Sequence, residues 1–326
     1  MMHNNGSALI TGGAGFLGSA VARQLLDEGL EIALYDSFVV YAKPDGQQPP
    51  FDFSARLKPL LKQVKLIRGN TLDRDYLRRA MHEIRPSVVI HMAAMPLAAL
   101  AIEHTEEAYQ TICTSTHNLL EIMRDVDWPC RLLYVSSSMV YGDFLNNEVE
   151  EDTHPTSPKD VYGAFKLAGE IIAKAYLRNY GVDVVMVRPS AVYGPFDSNS
   201  RVIRKFINAA MQGQPLTIDG DGSMKMDFTF VDDTARAIAL AAITPGVAGE
   251  IFNVTRGEGR SLKDLAEIVI SHFPGTEIIH RPKPAYVPER GALSVEKARR
   301  LLGYMPAVSL EEGVGRYVSH LRAHAF

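Results

Sequence analysis

Short apolar runs alternate with longer helical patterns through the first half of the chain. The strand-like runs are Ala8–Ile10, Glu31–Tyr35, Val64–Ile67, Val88–His91 and Arg131–Val135. The helical patterns between and after them are Phe16–Glu28, Arg74–Ile84, Tyr109–Val126 and Tyr162–Arg178. Ala8–Ile10 and Val88–Ile90 are apolar without alternation, which is typical of strands covered on both faces. This order predicts an α/β fold, in which helices cross over between the parallel strands of a doubly wound sheet.

Beyond a sixth strand at Val182–Val187, the pattern becomes less regular. The predicted helices there are Ser200–Met211, Ser261–Phe273, Ser294–Leu302 and Leu310–Ala323, and the strand-like runs are Leu216–Ile218, Phe228–Val231 and Glu277–His280. Val40–Phe53 contains three prolines and an Asp-Gly pair, so it is predicted to be a loop insertion. We therefore expect a large nucleotide-binding lobe and a smaller, interleaved C-terminal lobe.

The charge balance excludes several classes of partner. The chain has 34 Lys and Arg against 38 Asp and Glu, a formal net charge of -4, which argues against broad attraction to nucleic acid or anionic membranes. Its two cysteines are too few for a disulfide scaffold and suit a reducing compartment. The longest apolar stretches, around Ala93–Ile102 and Ala235–Ile243, are too short to span a bilayer, and Met1–Ser7 has no basic region or cleavage site. We expect a cytoplasmic protein.

The turn between the first strand and the first helix is rich in glycine. Thr11–Gly18 reads as G-x-x-G-x-x-G on Gly12, Gly15 and Gly18, or as G-x-G-x-x-G beginning at Gly13. Glycines let the backbone turn tightly and approach a pyrophosphate, and the following helix N-terminus offers N–H groups to it. A tight strand-to-helix turn can also require glycine for its own sake.

An acidic residue ends the second strand at Asp36, about 20 residues after the glycines, as expected for a dinucleotide site. Its carboxylate can accept hydrogen bonds from both ribose hydroxyls and would repel a 2′-phosphate, which favours NAD over NADP. The alternative is that Asp36 caps a helix or a turn.

Tyr162 and Lys166 lie four residues apart, on one face of a predicted helix. A free tyrosine has a pKa near ~10, and a neighbouring ammonium together with a positive nicotinamide would lower that pKa and stabilise the phenolate. The same spacing also fits a packed aromatic ring beside a solvated lysine. The catalytic interpretation is favoured because the pair follows Ser136-Ser137-Ser138 at the carboxyl end of the fifth strand, where ligands of open α/β sheets bind. A serine hydroxyl there can hold a substrate hydroxyl against the tyrosine, or it can cap a turn.

These motifs resemble those of the extended short-chain dehydrogenase/reductase family, and within it those of the NAD-dependent epimerase/dehydratase group that acts on nucleotide sugars. The resemblance includes the glycine turn, Asp36, HMAA at His91–Ala94, YVSSSMVYG at Tyr134–Gly142, Tyr162–Lys166 and RPSAVYGP at Arg188–Pro195, and it extends from about Ser7 to Leu310. It implies an NAD-binding Rossmann domain over 1–188 with a return segment at about 226–256. It also implies a smaller interleaved α/β substrate-binding lobe over 189–225 and 257–326.

The resemblance implies a role for individual residues. Tyr162 would be the catalytic base, Lys166 its activator and a ribose ligand, and Ser137, four residues before Tyr141, the hydroxyl partner. The cofactor contacts would come from Gly12, Gly15, Phe16, Leu17, Asp36, Asn70, Thr71, Ala93, Ala94, Ser136, Tyr162, Lys166 and Pro189. Relatives also pair the helices here predicted at Tyr109–Val126 and Tyr162–Arg178 into a four-helix bundle, so a homodimer is expected, although core packing explains the same apolar pattern.

Several positions depart from the family pattern and concern the substrate. Dehydratases of the family carry an acidic pair after the catalytic hydroxyl, where this chain has Ser138 and Met139, so elimination is disfavoured. Decarboxylases keep a glutamate in place of Met139, so decarboxylation is disfavoured as well. Ala191 and Met226 stand where relatives have a substrate-binding asparagine and a diphosphate-binding arginine.

Arg201 and Arg290 are the candidates for the missing positive charge, because a guanidinium suits phosphate oxygens, and solvated surface arginines are the alternative. The expected substrate contacts are thus Ser137, Ser138, Arg201 and Arg290. Ile112 replaces an asparagine that bends the helix and orders a water near the lysine in relatives, so we expect a changed proton relay. Among the ten histidines no pair has metal-ligand spacing with Cys or acidic support, so we expect no metal and a structural His91.

The leading interpretation is an NAD-dependent nucleotide-sugar epimerase that acts at C4 through a transient keto-sugar. One alternative is a nucleotide-sugar or keto-sugar reductase, dehydrogenase or decarboxylase of the same family, with NAD or NADP as cofactor. Another is a non-catalytic NAD-binding sensor, although such proteins typically lose the tyrosine or the lysine that this chain keeps.

Overall fold

The computed structural model describes residues 6–41, 53–144, 148–199, 201–282 and 288–324. Its strands are β1 (Ser7–Thr11), β2 (Glu31–Asp36), β3 (Val64–Arg68), β4 (Val88–His91), β5 (Arg131–Val135), β6 (Glu148–Val149), β7 (Asp183–Arg188), β8 (Val192–Tyr193), β9 (Leu216–Asp219), β10 (Lys225–Asp227), β11 (Thr229–Phe230), β12 (Ile251–Asn253), β13 (Gly259–Ser261), β14 (Ile278–Arg281) and β15 (Ala292–Leu293). Its helices are α1 (Phe16–Asp27), α2 (Phe53–Leu57), α3 (Arg74–Ile84), α4 (Ala98–Glu103), α5 (Thr105–Tyr109), α6 (Ser115–Asp125), α7 (Val161–Tyr180), α8 (Val202–Met211), α9 (Val231–Ile243), α10 (Leu262–His272), α11 (Glu296–Leu302) and α12 (Leu310–Ala323).

A Rossmann-like parallel sheet forms the centre of the fold. Within the described residues it has seven strands in the order β12-β7-β5-β4-β1-β2-β3. The chain builds outward from β1 to β3 and then returns to β4 on the other side of β1, where Thr11 lies opposite both Tyr35 and His91. At such a reversal the loops that follow the two central strands diverge and leave a crevice. The predicted doubly wound sheet is confirmed.

Both faces of this sheet are covered, which explains the unbroken apolar runs. In β1, Ala8 and Ile10 join a core that includes Val21 of α1 and Ile238 of α9, whereas Leu9 joins the core of the opposite face with helices α3, α6 and α7. Successive side chains of a strand point to opposite faces, so each residue of a central strand needs an apolar partner.

The six predicted strands of this sheet are confirmed to within one residue at either end. The predicted helix Tyr109–Val126 is wrong in its bounds, because helical backbone already begins at Thr105 and one π-helical turn at Gln110–Thr114 separates α5 from α6. Only Thr229–Phe230 of the run at Phe228–Val231 pairs as a strand, and the next residue begins α9.

Two elements at the return of the chain to the sheet were not predicted, α9 and the edge strand β12. The predicted loop at Val40–Phe53 lies mostly outside the described residues, and so does the first residue of the predicted helix at Ser200–Met211. No helix in the described ranges is long and apolar enough to cross a membrane.

A buried carboxylate holds the C-terminal part of the chain against the return segment. Asp227 accepts hydrogen bonds from the N–H groups of Arg256, Gly257 and Leu293 at 3.1 to 3.2 Å. Burial raises the pKa of Asp227 to about 6. The bond to Leu293 ties down β15, which follows Arg290 and pairs with β6, whereas the other two bonds hold the stretch after β12.

Candidate active site

The glycine turn is required by close backbone packing. Gly12 has a φ of 71°, in the left-handed region, and its N–H donates to the carbonyl of Tyr35 at 2.9 Å. A Cβ atom on Gly12 would lie 2.9 Å from the backbone N of Ala93, and one on Gly18 would lie 2.3 Å from the carbonyl oxygen of Gly12. Side chains at these two positions would therefore displace the backbone between β1, α1 and β4.

Asp36 caps the glycine turn and also faces the cavity beside it. One carboxylate oxygen accepts the N–H of Ala14 at 2.9 Å, and the other accepts the N–H of Phe38 at 2.7 Å. The capping alternative is thus present in the structure, and it does not exclude ligand binding, because each carboxylate oxygen has a second lone pair. Burial raises the pKa of Asp36.

Arg56 is a site residue that sequence reasoning missed. Its buried guanidinium donates to the carbonyls of Ala14 at 3.0 Å and of Phe196 at 2.7 Å. It therefore links the glycine turn to the loop that precedes α8. No motif marks this arginine, because its two partners lie 42 and 140 positions away.

A cavity of about 610 Å³ opens along the carboxyl ends of the central strands. All of the residues predicted to contact the cofactor line it, and so does Arg201. Ser137, Ser138 and Arg290 are not among its lining residues. The volume is within the range of small-molecule and cofactor sites, which is roughly 300–1,000 Å³.

Ser136 supplies a test of whether the cavity fits a dinucleotide. Its side chain is buried at 3% exposure, and its Oγ has no hydrogen-bond partner among the described residues. Burying a hydroxyl without a partner is unfavourable unless a ligand completes it. Together with the glycine turn and Asp36, this hydroxyl fits NAD, with hydrogen-bonding groups along the cavity.

The N-terminus of α7 brings the three predicted catalytic residues together. Asp160 caps this helix by accepting the N–H of Gly163 at 2.8 Å. The Lys166 ammonium donates to the carbonyl of Val135 at 2.8 Å and lies 6.0 Å from the centre of the Tyr162 ring. The hydroxyl of Ser137 accepts the N–H of Met139 at 3.2 Å, and Ser137 lies close enough to Tyr162 to lower the pKa of its phenol.

The charges around Tyr162 differ from the expectation. Burial raises the pKa of the Tyr162 phenol, whereas the positive charge of Arg201 and the hydrogen bond with Ser137 lower it. The cation with the largest effect on Tyr162 is therefore Arg201 rather than Lys166. Burial also lowers the pKa of Lys166 to about 8, so most of the Lys166 side chains are charged at neutral pH and lose the proton around pH 8.

His91 is structural, as predicted. Its two ring nitrogens lie 2.8 Å from the hydroxyl of Thr11 and 3.2 Å from that of Thr116, and burial lowers its pKa to about 3. The imidazole is therefore neutral and joins β1, β4 and α6. Among the described residues no group of three His, Cys, Asp or Glu side chains is placed to hold a metal ion.

Ile112 lies in the π-helical turn next to the site. Its side chain is buried, and its carbonyl accepts the hydroxyl of Thr116 at 2.6 Å. Single π-helical turns inside helices are frequent at functional sites. The changed proton relay expected from Ile112 stays a prediction.

The two candidate substrate arginines are both held by protein groups. Arg201 donates to the carbonyl of Val192 at 3.1 Å and lies 3.5 Å from a carboxylate oxygen of Asp197. Arg290 is half-buried and donates to the hydroxyl of Ser138 at 3.2 Å. Neither is a fully solvated surface residue.

Comparisons with known proteins identify the family. The family model described as the NAD dependent epimerase/dehydratase family matches residues 8–255. A probable UDP-glucuronate 4-epimerase of Rhizobium meliloti is 30% identical, over 97% of this chain and 98% of that protein. A dTDP-glucose 4,6-dehydratase of Neisseria meningitidis is also 30% identical, over 95% of this chain and 91% of that protein.

Solved structures agree with this assignment. The UDP-glucuronic acid 4-epimerase of Bacillus cereus, in complex with UDP-glucuronic acid and NAD, superposes with a TM-score of 0.88 at 26% identity, over 98% of this chain and 99% of that one. The UDP-glucose 4-epimerase of Thermus thermophilus, in complex with NAD, gives a TM-score of 0.83 at 30% identity, over 97% and 99%. The chain is therefore a member of the NAD-dependent epimerase/dehydratase family of extended short-chain dehydrogenases/reductases, and it is an enzyme that uses NAD.

Proposed function

We propose that this enzyme is a nucleotide-sugar epimerase that inverts C4 through a transient 4-keto-sugar. The observation that carries this proposal is the local arrangement around Tyr162. The tyrosine keeps Ser137 and Lys166 beside it, whereas the next two positions after Ser137 hold a hydroxyl and a thioether. Epimerisation needs one base that takes a proton and returns it. Dehydration needs an additional acid and base, which Ser138 and Met139 do not supply at neutral pH.

Each residue of the site has a defined task in this reaction. Tyr162, as phenolate, takes the proton of the C4 hydroxyl, and Ser137 holds that hydroxyl against it. The positive charge of Arg201 lowers the pKa of the Tyr162 phenol and so counteracts the effect of burial. In the proposed reaction the Lys166 ammonium, 6.0 Å from the centre of the tyrosine ring, is a second positive charge that favours the phenolate. After the keto-sugar has turned in the pocket, the same phenol returns the proton.

Bound NAD would supply the reversible hydride transfer at C4 that inversion of this carbon requires. The residues placed to hold it are those of the cavity, with the glycine turn for the pyrophosphate, Asp36 for the ribose, and Ser136 and Lys166 near the reacting end. We assign residues 1–188 and about 226–256 to this NAD-binding domain, because β12 completes its sheet beside β7. Residues 189–225 and 257–326 would form the substrate-binding lobe.

Named activities among the relatives support the substrate class. The matched proteins include UDP-glucuronate and UDP-glucose 4-epimerases as well as dTDP-glucose 4,6-dehydratases. All of these relatives are named as epimerases or dehydratases of nucleotide sugars. Between these two activities, the residues that follow Ser137 favour the epimerase.

The test is turnover without added cofactor. Purified protein incubated with UDP-, dTDP-, GDP- or CDP-sugars should yield C4 epimers, because an epimerase regenerates its NAD in every cycle. Tyr162→Phe, which removes one oxygen, should abolish turnover and keep the bound NAD. Stoichiometric formation or consumption of NADH would contradict the proposal and favour a reductase or dehydrogenase, for which the departures at Ala191 and Met226 are the specific argument.

We further propose a homodimer that works in the cytoplasm, where Cys113 and Cys130 stay reduced. Tyr109, the first residue of the predicted helix Tyr109–Val126, and Ile171 of α7 are 52% and 57% exposed on the two segments expected to pair. Light scattering of the purified protein should give twice the chain mass, and Ile171→Glu should shift it toward the monomer. A monomeric wild-type protein would contradict this part.

A further inference from the structure

Arg290 reaches Ser138, the neighbour of the predicted catalytic Ser137, from a distant part of the chain. Its guanidinium donates to the Oγ of Ser138 at 3.2 Å, contacts the Sδ of Met139, and lies 5.5 Å from the centre of the Phe144 ring. The neighbouring backbone is fastened in place, because the carbonyl of Glu289 accepts the N–H of Phe144 at 2.9 Å. This geometry sets the position of the charge relative to Ser138.

The charge of Arg290 is not balanced by an ion pair. No carboxylate of the described residues lies within 4 Å of its guanidinium. The carboxylates that act on it at longer range are Asp160, which caps α7, and Asp143, which pairs with Lys159. Burial lowers the pKa of the guanidinium to about 10, so it remains charged at neutral pH. A half-buried cation with a hydroxyl, a thioether and a ring as partners is stabilised when an anion binds beside it.

The position of this charge tells which part of a nucleotide sugar it faces. Ser138 directly follows Ser137, whose hydroxyl holds the reacting C4 hydroxyl in the proposed reaction, and consecutive Cα atoms are about 3.8 Å apart. In a hexose ring, C4 is bonded to C5, which carries C6, whereas C1 with its diphosphate lies across the ring. An anion that meets Arg290 and Ser138 is therefore expected on C6 rather than on the diphosphate.

We propose that Arg290 and Ser138 form a carboxylate site for C6 of the sugar, so that the substrate is a nucleotide-linked uronate. The guanidinium offers planar N–H groups to the two carboxylate oxygens, and the Ser138 hydroxyl, which accepts from Arg290, still has its own hydrogen to donate. The inference rests on the proposed function, because Ser137 and Tyr162 define where C4 lies. It replaces the diphosphate role that the sequence suggested for Arg290.

The test compares sugars that differ only at C6. NAD-loaded Tyr162→Phe protein, in which turnover is suppressed, is titrated calorimetrically with UDP-glucuronate and UDP-glucose, and then with UDP-galacturonate and UDP-galactose. We expect the acid to bind at least tenfold more tightly than its alcohol in the pair whose C6 faces Arg290, because the turn of the keto-sugar places C6 differently in the two epimers. Adding Arg290→Gln should lower the acid-to-alcohol affinity ratio on the order of 10- to 100-fold. Arg281→Gln, which removes an exposed arginine of β14, should leave the ratio unchanged.

Each other outcome has a defined meaning. Two results with Tyr162→Phe overturn the carboxylate site: equal affinity for acid and alcohol, or failure of both uronates to bind. An equal loss of affinity for the acid and the alcohol of a pair in Arg290→Gln also overturns it, and it assigns Arg290 to the diphosphate instead. Ser138→Ala is the second variant if Arg290→Gln fails to fold, and it should lower the ratio by a smaller factor. An unchanged ratio in Ser138→Ala likewise overturns the site.

The two proposals fail in different ways. Efficient C4 epimerisation of neutral nucleotide hexoses, with no preference for acids, would leave the proposed function standing and overturn the carboxylate site. Tight, Arg290-dependent binding of a uronate without any epimer formed by the wild-type enzyme would overturn the proposed function instead.

Discussion

Replacing Gly18 with alanine should weaken NAD binding through a clash that the geometry already defines. The added Cβ would lie 2.3 Å from the carbonyl oxygen of Gly12 and 2.8 Å from the Cα of Gly13. Both are backbone atoms, and ordinary contacts of carbon atoms begin near ~3.5 Å, so the turn must move by about 1 Å. Overpacking of this kind costs roughly 1–3 kcal/mol.

The cost of Gly18→Ala falls on the part of the cavity that holds the pyrophosphate. If the displaced turn must return to its wild-type position when NAD binds, most of the ~1–3 kcal/mol appears as an affinity loss of about 5- to 150-fold. Calorimetric titration of cofactor-stripped protein measures this loss, and the NAD content after purification gives a second readout.

Gly315→Ala in α12 is the matched control, because the added Cβ would lie 3.5 Å from the ring of His272, an ordinary contact. There the alanine should leave NAD affinity unchanged and raise stability by up to about 1 kcal/mol. Wild-type NAD affinity in Gly18→Ala would refute the assignment of this turn to the cofactor.

Three further changes test the site and its support. Ser136→Ala should weaken NAD binding two- to tenfold, the loss of roughly one hydrogen bond. The melting temperature of the cofactor-free protein should stay the same or rise. A fall in that temperature would show that the hydroxyl already has a partner in the protein. Glu170→Gln should destabilise the fold by about 3–5 kcal/mol in urea unfolding, because the buried Arg188 guanidinium, which lies 2.6 Å from the Glu170 carboxylate, loses its charge partner. The double variant Glu170→Met with Arg188→Met should cost less than Glu170→Gln alone, because it removes both charges. Burial lowers the pKa of Lys166 to about 8, so turnover should decline as the pH rises above 8. The free energy of unfolding should rise between about pH 8 and 10, because the folded protein loses this buried charge while the unfolded chain still binds the proton. Lys166→Met should remove this dependence of stability on pH.

Six of the seven described strands of the central sheet could be predicted, because they are short runs rich in apolar residues between turn residues. β4 and β5 match the prediction at both ends, since their burial on both faces is visible as an unbroken apolar run. The glycine turn is equally local. Gly12 and Gly18 are required by contacts within one strand–turn–helix unit and with the end of the neighbouring strand, so the spacing of the glycines in the sequence predicts them.

Other elements have no local signal. α9 is buried along most of its length, so its sequence lacks the polar face that marks an amphipathic helix. β12 has three residues and is recognisable as a strand only through its pairing with β7. The π-helical turn at Gln110–Thr114 shifts the helical period by one residue, which a pattern of fixed period does not show.

The substrate side of the site illustrates why contacts at long range escape sequence reasoning. Arg290 and Ser138 are 152 positions apart. They meet because β15 pairs with β6, because Asp227 accepts the N–H of Leu293 in β15, and because the carbonyl of Glu289 accepts the N–H of Phe144. The cofactor side, in contrast, is built from loops that each follow one strand of the sheet. The charge that we propose to read C6 is therefore carried by a segment outside the parallel sheet. Under this proposal, we expect changes at Arg290 to alter which sugar binds while the glycine turn, Asp36 and the Tyr162 site keep their geometry. In this chain the cofactor residues belong to the family motifs, whereas Arg290 belongs to none of them, so the family resemblance identifies the cofactor more firmly than the substrate.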